Sequence, residues 1–146
     1  MTADTRGLTR ADFVHVARVS TRWSDNDMFG HLNNAVYYEL FDSVLNEWLM
    51  AGTGIEESTA PVIGLVVESS CRFHRELAYP GPVDVALVVE RLGERSLVLG
   101  LGVFAADADE IAAHGRWAQV YVDRATRRPV PVPTPVRALA ERSTRA

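Results

Sequence analysis

The chain has 146 residues, 47% of them apolar and 23% charged, with 19 acids against 15 arginines, no lysine, and a formal charge of −4. These proportions exclude a disordered or fibrous chain, and the acid excess leaves no basic stripe for nucleic acid. No apolar run approaches the roughly 20 residues of a membrane span, the first residues lack a signal peptide's apolar stretch, and a lone Cys71 excludes an internal disulfide or a cysteine-based zinc cluster, so one cytoplasmic domain is expected.

From Phe13 to Trp23 the segment FVHVARVSTRW spaces valines at 14, 16 and 19 and predicts a strand with an irregularity near Ala17. The polar run SDNDMFGHLNN follows at once. From Ala35, the residues Val36, Tyr37, Leu40, Phe41, Val44, Leu45, Trp48 and Leu49 recur as pairs four apart, one wide apolar stripe on a helix that Gly52 and Gly54 end. Next, PVIGLVVESSCRFHRE alternates as a long strand. The turn signals YPGP, GERS and DADE then separate VDVALVVERL, LVLGLGVFAA and IAAHGRWAQVYVD, three further strands in a meander. The prolines after Arg127 forbid a central strand, and Thr134 with Pro135 suits the start of a short final helix. The fold class is α+β: an antiparallel sheet of about five strands wrapped around one long central helix. Trp23 and Trp117 are expected in the core, as are Tyr37 and Phe41. Cys71, among apolar neighbours, is expected to be a buried, inert thiol.

The run from Ser24 to Asn34 packs two aspartates, a histidine and two adjacent asparagines against the start of the helix. As a calcium loop it fails, because Phe29 and Val36 stand where positions five and twelve need oxygen ligands. As a metal site, Asp25, Asp27 and His31 lack a fourth partner. No GxSxG occurs, and the one cysteine lies mid-strand, so a serine or cysteine hydrolase is excluded. Helix capping accounts for part of the motif: Asn33 or Asn34 can accept from the first free amides, and the aspartates favour the positive end of the dipole. Capping explains neither His31 nor the apolar Met28 and Phe29.

The run Asp-x-Asp-x-x-Gly-His-x-Asn-Asn, followed by Tyr37 and an amphipathic helix, resembles the hot-dog-fold acyl-CoA thioesterases of the 4-hydroxybenzoyl-CoA thioesterase type. The order of elements extends the resemblance over about residues 13–137, including LAYPGPVDVALVVERLG and the proline-rich exit with Pro131, Pro133 and Arg137. Residues 1–12 then form an N-terminal extension and 138–146 a C-terminal tail. The resemblance implies hydrolysis of a CoA thioester to free acid and CoA. It assigns Asp27 as nucleophile or as base for a water, and backbone amides near Asn33 and Asn34 as partners for the carbonyl oxygen. Relatives such as the Tol-Pal-associated thioesterases carry histidine where this chain has Asn34; here the histidine stands three residues earlier, at His31, to orient Asp27 or brace the loop.

Substrate-contact candidates are Asn33, Tyr37, Tyr38, Arg72 and Arg75, the arginines for the phosphates of coenzyme A. No metal and no separate cofactor is expected, because coenzyme A is part of the substrate. A homodimer or homotetramer is implied, and an open sheet of valine-rich strands leaves edges that favour pairing. Two other readings remain. A hot-dog hydratase or dehydratase normally shows Asp-x-Asn-Pro-x-His, which the spacing here does not match; a non-catalytic acyl-CoA binding module would not need the carboxylate at Asp27.

Overall fold

The computed structural model describes residues 4–145. Its elements run β1 (His15–Val19), α1 (Asn34–Thr53), β2 (Val62–Phe73), β3 (Val83–Leu92), β4 (Ser96–Ala105), β5 (Ile111–Asp123) and α2 (Thr134–Glu141), with short 3-10 turns at Arg10–Asp12 and Trp23–Asp25. The strands form one antiparallel sheet in the order β1-β3-β4-β5-β2.

The apolar stripe read from the sequence is the buried face of α1: Tyr37, Leu40, Phe41, Val44, Leu45, Trp48 and Leu49 all lie against the sheet. Burying seven large side chains is what holds the helix here, at about 1.5–3 kcal/mol each. Gly54, left-handed with φ 71°, closes the helix by donating its N–H to Met50 O at 2.9 Å. The helix seats closely because Gly115 on β5 has no side chain; a Cβ there would collide with the Phe41 ring. Only a smaller cluster covers the other sheet face, where Phe13, Ala86, Val88, Phe104 and Ile111 lie beneath the N-terminal segment. Across the same face Asp84, buried in β3, takes both Arg10 and Arg18, at 2.8 and 2.9 Å. Hydrogen bonds from Arg18 first, then Arg10, hold its carboxyl below the usual range.

Three expectations are corrected. The first strand ends at Val19 rather than near Trp23, and its register with β3 is unbroken, so Ala17 marks no irregularity. The chain turns outward after Val19, which leaves Trp23 83% exposed with its ring edge on Tyr79 at 6.2 Å, outside the core. Strict alternation in β2 also fails: a bulge between Val66 and Glu68 shifts the register, and the strand stays largely exposed at the sheet edge. Trp117, Tyr37 and Phe41 are buried as expected. Cys71 is half-buried, and burial pushes its thiol up to about 12, which keeps it protonated. Pro135 lies in the first turn of α2. No helix among the described residues is long and apolar enough to cross a membrane.

Candidate active site

The two aspartates of the motif do different things. Asp25, whose side chain is 4% exposed, accepts the Arg22 backbone N–H at 2.7 Å and the Arg22 guanidinium at 2.8 and 3.0 Å. Its own carbonyl accepts the Asn33 N–H at 2.9 Å, which fixes the residue that caps α1. Asp25 is therefore spent on holding the loop. Asp27, 17% exposed, faces the cleft. One carboxylate oxygen accepts the Phe29 N–H at 2.9 Å, and the other lies 3.7 Å from His31 Nδ1.

The loop is clamped from outside by the segment between β2 and β3. Leu32 donates its N–H to Leu77 O at 2.7 Å. Asn26 exchanges two hydrogen bonds with the Tyr79 backbone, at 2.9 and 3.2 Å. These bonds explain the one motif asparagine, Asn26, to which the sequence assigned no role. They also pin an irregular loop whose backbone would otherwise be free to fluctuate.

At the helix start, Asn33 Oδ1 accepts the Ala35 N–H at 2.9 Å, which settles which asparagine is the cap. The Val36 N–H turns back to Asn33 O. Among the described residues no group accepts the Asn34 N–H, so the first amide of α1 stays available at the cleft that Asp27 also borders, backed by the positive end of the helix dipole.

These groups line a cleft of about 760 Å³. Asp27, His31, Asn33, Asn34, Tyr37 and Arg75 all border it. Two other expected contacts are placed elsewhere. Tyr38 packs edge-on to Phe41, with ring centroids 6.3 Å apart, and is not in the cleft lining. Arg72 borders a separate cavity on the opposite sheet face, with His114 and Arg116. Phe73 and Glu76 were missed by the sequence reading. Phe73 meets the Tyr37 ring edge-on at 4.9 Å, and a Glu76 oxygen stands 3.9 Å from His31 Nε2. Neither has a local signal, because both are brought to the cleft by the tertiary fold from more than 30 residues beyond the motif. Met28 and Phe29 are exposed apolar residues at the rim, with Phe29 stacked on His31 at 6.3 Å. Arg75 reaches the rim while paired with Glu110 at 2.8 Å.

A carboxylate and an unused helix-terminal amide on one cleft wall suit addition to a carbonyl carbon, with the amide receiving the oxygen as it gains charge. Among the described residues no three histidine, cysteine or acidic side chains gather to hold a metal ion.

Comparison with known proteins agrees with this layout. Residues 21–139 match the model of the thioesterase-like superfamily. The PA5185 protein of Pseudomonas aeruginosa strain PAO1 is 37% identical and superposes with a TM-score of 0.91, covering 94% of this chain and 96% of that one. The PA2801 protein of the same species is 30% identical, with a TM-score of 0.80 over 86% of this chain and 97% of that one. A 1,4-dihydroxy-2-naphthoyl-CoA thioesterase from Synechocystis shares the fold, with a TM-score of 0.78 at 13% identity over 86% of this chain and 93% of that one. No curated protein matches the chain.

Proposed function

This chain belongs to the hot-dog thioesterase-like superfamily and is a thioester hydrolase, and from that premise we propose that it cleaves an acyl-CoA to the free acid and coenzyme A with Asp27 as the reacting carboxylate. The observation that carries the proposal is the pairing of Asp27, solvent-reachable and held by the Phe29 N–H, with the unused Asn34 amide at the start of α1. The Phe29 N–H occupies one carboxylate oxygen of Asp27 and leaves the other for chemistry. By one route the free oxygen draws a proton from the water that adds to the thioester carbon and then returns that proton to the departing sulfur. By the other it adds to the carbon itself, giving an acyl-aspartyl anhydride that water hydrolyses, the departing thiolate taking its proton from solvent. As the carbonyl oxygen gains charge, the Asn34 N–H and the helix dipole stabilise it, and coenzyme A leaves as the thiol.

His31 orients the Asp27 carboxylate from 3.7 Å, and Asn34 borders the same space. Asn33 sets the amide array by capping, and Tyr37 forms the cleft wall. Arg75 at the rim offers a guanidinium to the phosphates of coenzyme A.

We further propose that two copies pair through β2, giving a cytoplasmic homodimer that can double into a tetramer. A twelve-residue edge strand with Leu65, Val66 and Val67 exposed is a template for a second copy. Phe73 belongs to both that strand and the cleft, so pairing would bring the partner against the substrate.

The test is thiol release from a panel of short, long and aromatic acyl-CoAs, run beside hydration of enoyl-CoAs and equilibrium binding. Release of thiol from at least one thioester is expected. Hydration without thiol release, or binding without either, would replace the proposal with a hydratase or a binding module.

A further inference from the structure

At the opposite end of α1 lies a second cavity, of about 200 Å³, that the reaction proposed above does not use. It is bordered by Asn46 and Thr53 of α1, Val62 and Gly64 of β2, Gln119 and Tyr121 of β5, and Val136 of α2. A hydrogen-bonded ladder runs into it along the helix-facing side of β5. Trp117 Nε1 donates to Gln119 Oε1 at 3.2 Å, and Gln119 Nε2 donates to Tyr121 Oη at 2.9 Å.

The direction of this ladder is fixed by chemistry. An indole N–H only donates, so the oxygen of Gln119 must face Trp117 and its amide nitrogen must face Tyr121. Tyr121 Oη therefore accepts, and its own hydrogen points elsewhere. Among the described residues nothing accepts that hydrogen, nor the second amide hydrogen of Gln119. Both side chains are deeply buried, at 4% and 5% exposure, where an unpaired donor is costly. Burial also pushes the Tyr121 phenol up to about 12, so it remains a donor at any ordinary pH. The space beside these donors exists because residue 64 is glycine: a Cβ there would stand 2.6 Å from Gln119 Nε2. The phenol hydrogen of Tyr121 and the second amide hydrogen of Gln119, neither with a protein acceptor, thus border a cavity whose wall mixes apolar side chains with Asn46, Thr53 and Glu57.

The cavity and the Asp27 cleft occupy the same layer, between α1 and the sheet. Tyr37 borders one and Asn46 the other, nine residues along the helix and so about 14 Å apart in rise. Residues 64–70 of β2, exposed along the sheet edge, run from one to the other, and in the proposed dimer this strip lies at the seam between copies. We propose that this cavity holds the far end of the acyl group: the substrate is an acyl thioester of about ten carbons whose terminal region carries a neutral carbonyl or hydroxyl oxygen, accepted by Tyr121 and Gln119. The Glu57 carboxylate on the cavity wall disfavours a terminal carboxylate at the same place. The inference rests on the thioesterase reading for the identity of the ligand, and on the ladder alone for the existence of the site.

The experiment compares kcat/KM for plain acyl-CoAs with that for acyl-CoAs bearing a ketone next to the terminal carbon, in matched pairs roughly eight to fourteen carbons long. In parallel, the NMR signals of the Gln119 side-chain amide and the Trp117 indole N–H are followed as each thioester is added. At a matching length the ketone substrate is expected to be favoured about tenfold or more, because a site built to hydrogen-bond discriminates against the analogue lacking the oxygen. Tyr121→Phe should erase the preference by slowing the ketone substrate alone, with the Gln119 amide signals moving only for that substrate in the wild type. Should Tyr121→Phe fail to fold, Gly64→Ala provides the same comparison by displacing Gln119. Equal kcat/KM at every length with an unmoved Gln119 amide overturns the proposal, as does a preference that survives Tyr121→Phe. If no thioester releases thiol, the thioesterase reading fails by itself. The amide signals then still decide: a shift with the ketone compound alone keeps the site, and no shift, leaving the donors to water, removes it.

Discussion

The two ends of α1 present opposite solutions to the burial of polar groups. At its N-terminus a carboxylate and an unused amide face an open cleft of about 760 Å³, held by a loop of charged and polar residues. At its C-terminal half, Gln119 and Tyr121, the end of a neutral hydrogen-bonded ladder that starts at Trp117, border a narrower pocket of about 200 Å³. The difference follows from what each group must do. A carboxylate that is to act on a carbonyl needs water and ionisation, and burying it would cost several kcal/mol. Recognition of a neutral oxygen gains from the reverse, since a hydrogen bond discriminates most where water is excluded.

Phe41 lies in the core between the two ends, seated on Gly115 of β5, and removing it should loosen the helix that positions both. Phe41→Ala is expected to cost about 3–5 kcal/mol, read as a lower urea midpoint. A loss below about 1 kcal/mol would mean that the helix does not depend on this contact. The face of the sheet away from α1 should titrate independently of either end. Burial first, then the charges of Arg145, His74 and Arg72, hold the His114 imidazole down at about 4, against about 6.5 in an unfolded chain. Between those two values the unfolded chain binds a proton that the folded chain refuses. Stability should therefore fall as the pH falls through that window, by up to about 3 kcal/mol, and His114→Gln should flatten the slope. Gly115→Ala, which drives a methyl group into the Phe41 ring, should cost about 1–3 kcal/mol and lower the melting temperature. The smallest effect sharpens the contrast at the N-terminal end: Asn33→Ala removes the cap on Ala35 at a cost of about 1 kcal/mol, with a larger proportional loss in kcat than in stability if the cap also sets the oxyanion amide.

How much of this was legible depends on sequence distance. Helix α1 and the meander followed from periodicity and turn residues, because each is decided within a dozen neighbours. The motif from Asp25 to Asn34 was legible for the same reason, its parts being adjacent. The resemblance singled out Asp27 over Asp25, but what Asp25 does instead is visible only in its pairing with Arg22. Trp23 was misjudged because side-chain size says nothing of a chain that turns outward after Val19. Phe73 and Glu76 enter the cleft through tertiary pairing, and the Trp117, Gln119, Tyr121 ladder needs Gly64 from the neighbouring strand to open its cavity. No local pattern encodes those contacts.

The most direct test of the account is the kcat of Asp27→Asn on whichever thioester the wild type hydrolyses. The amide keeps the size of the side chain and an oxygen to accept the Phe29 N–H, so the loop and the melting temperature should hold. The account predicts a fall in kcat of about a hundredfold or more with KM little changed. A variant that folds normally and retains activity within a few-fold of wild type would contradict it, and would move the chemistry to another group in the cleft.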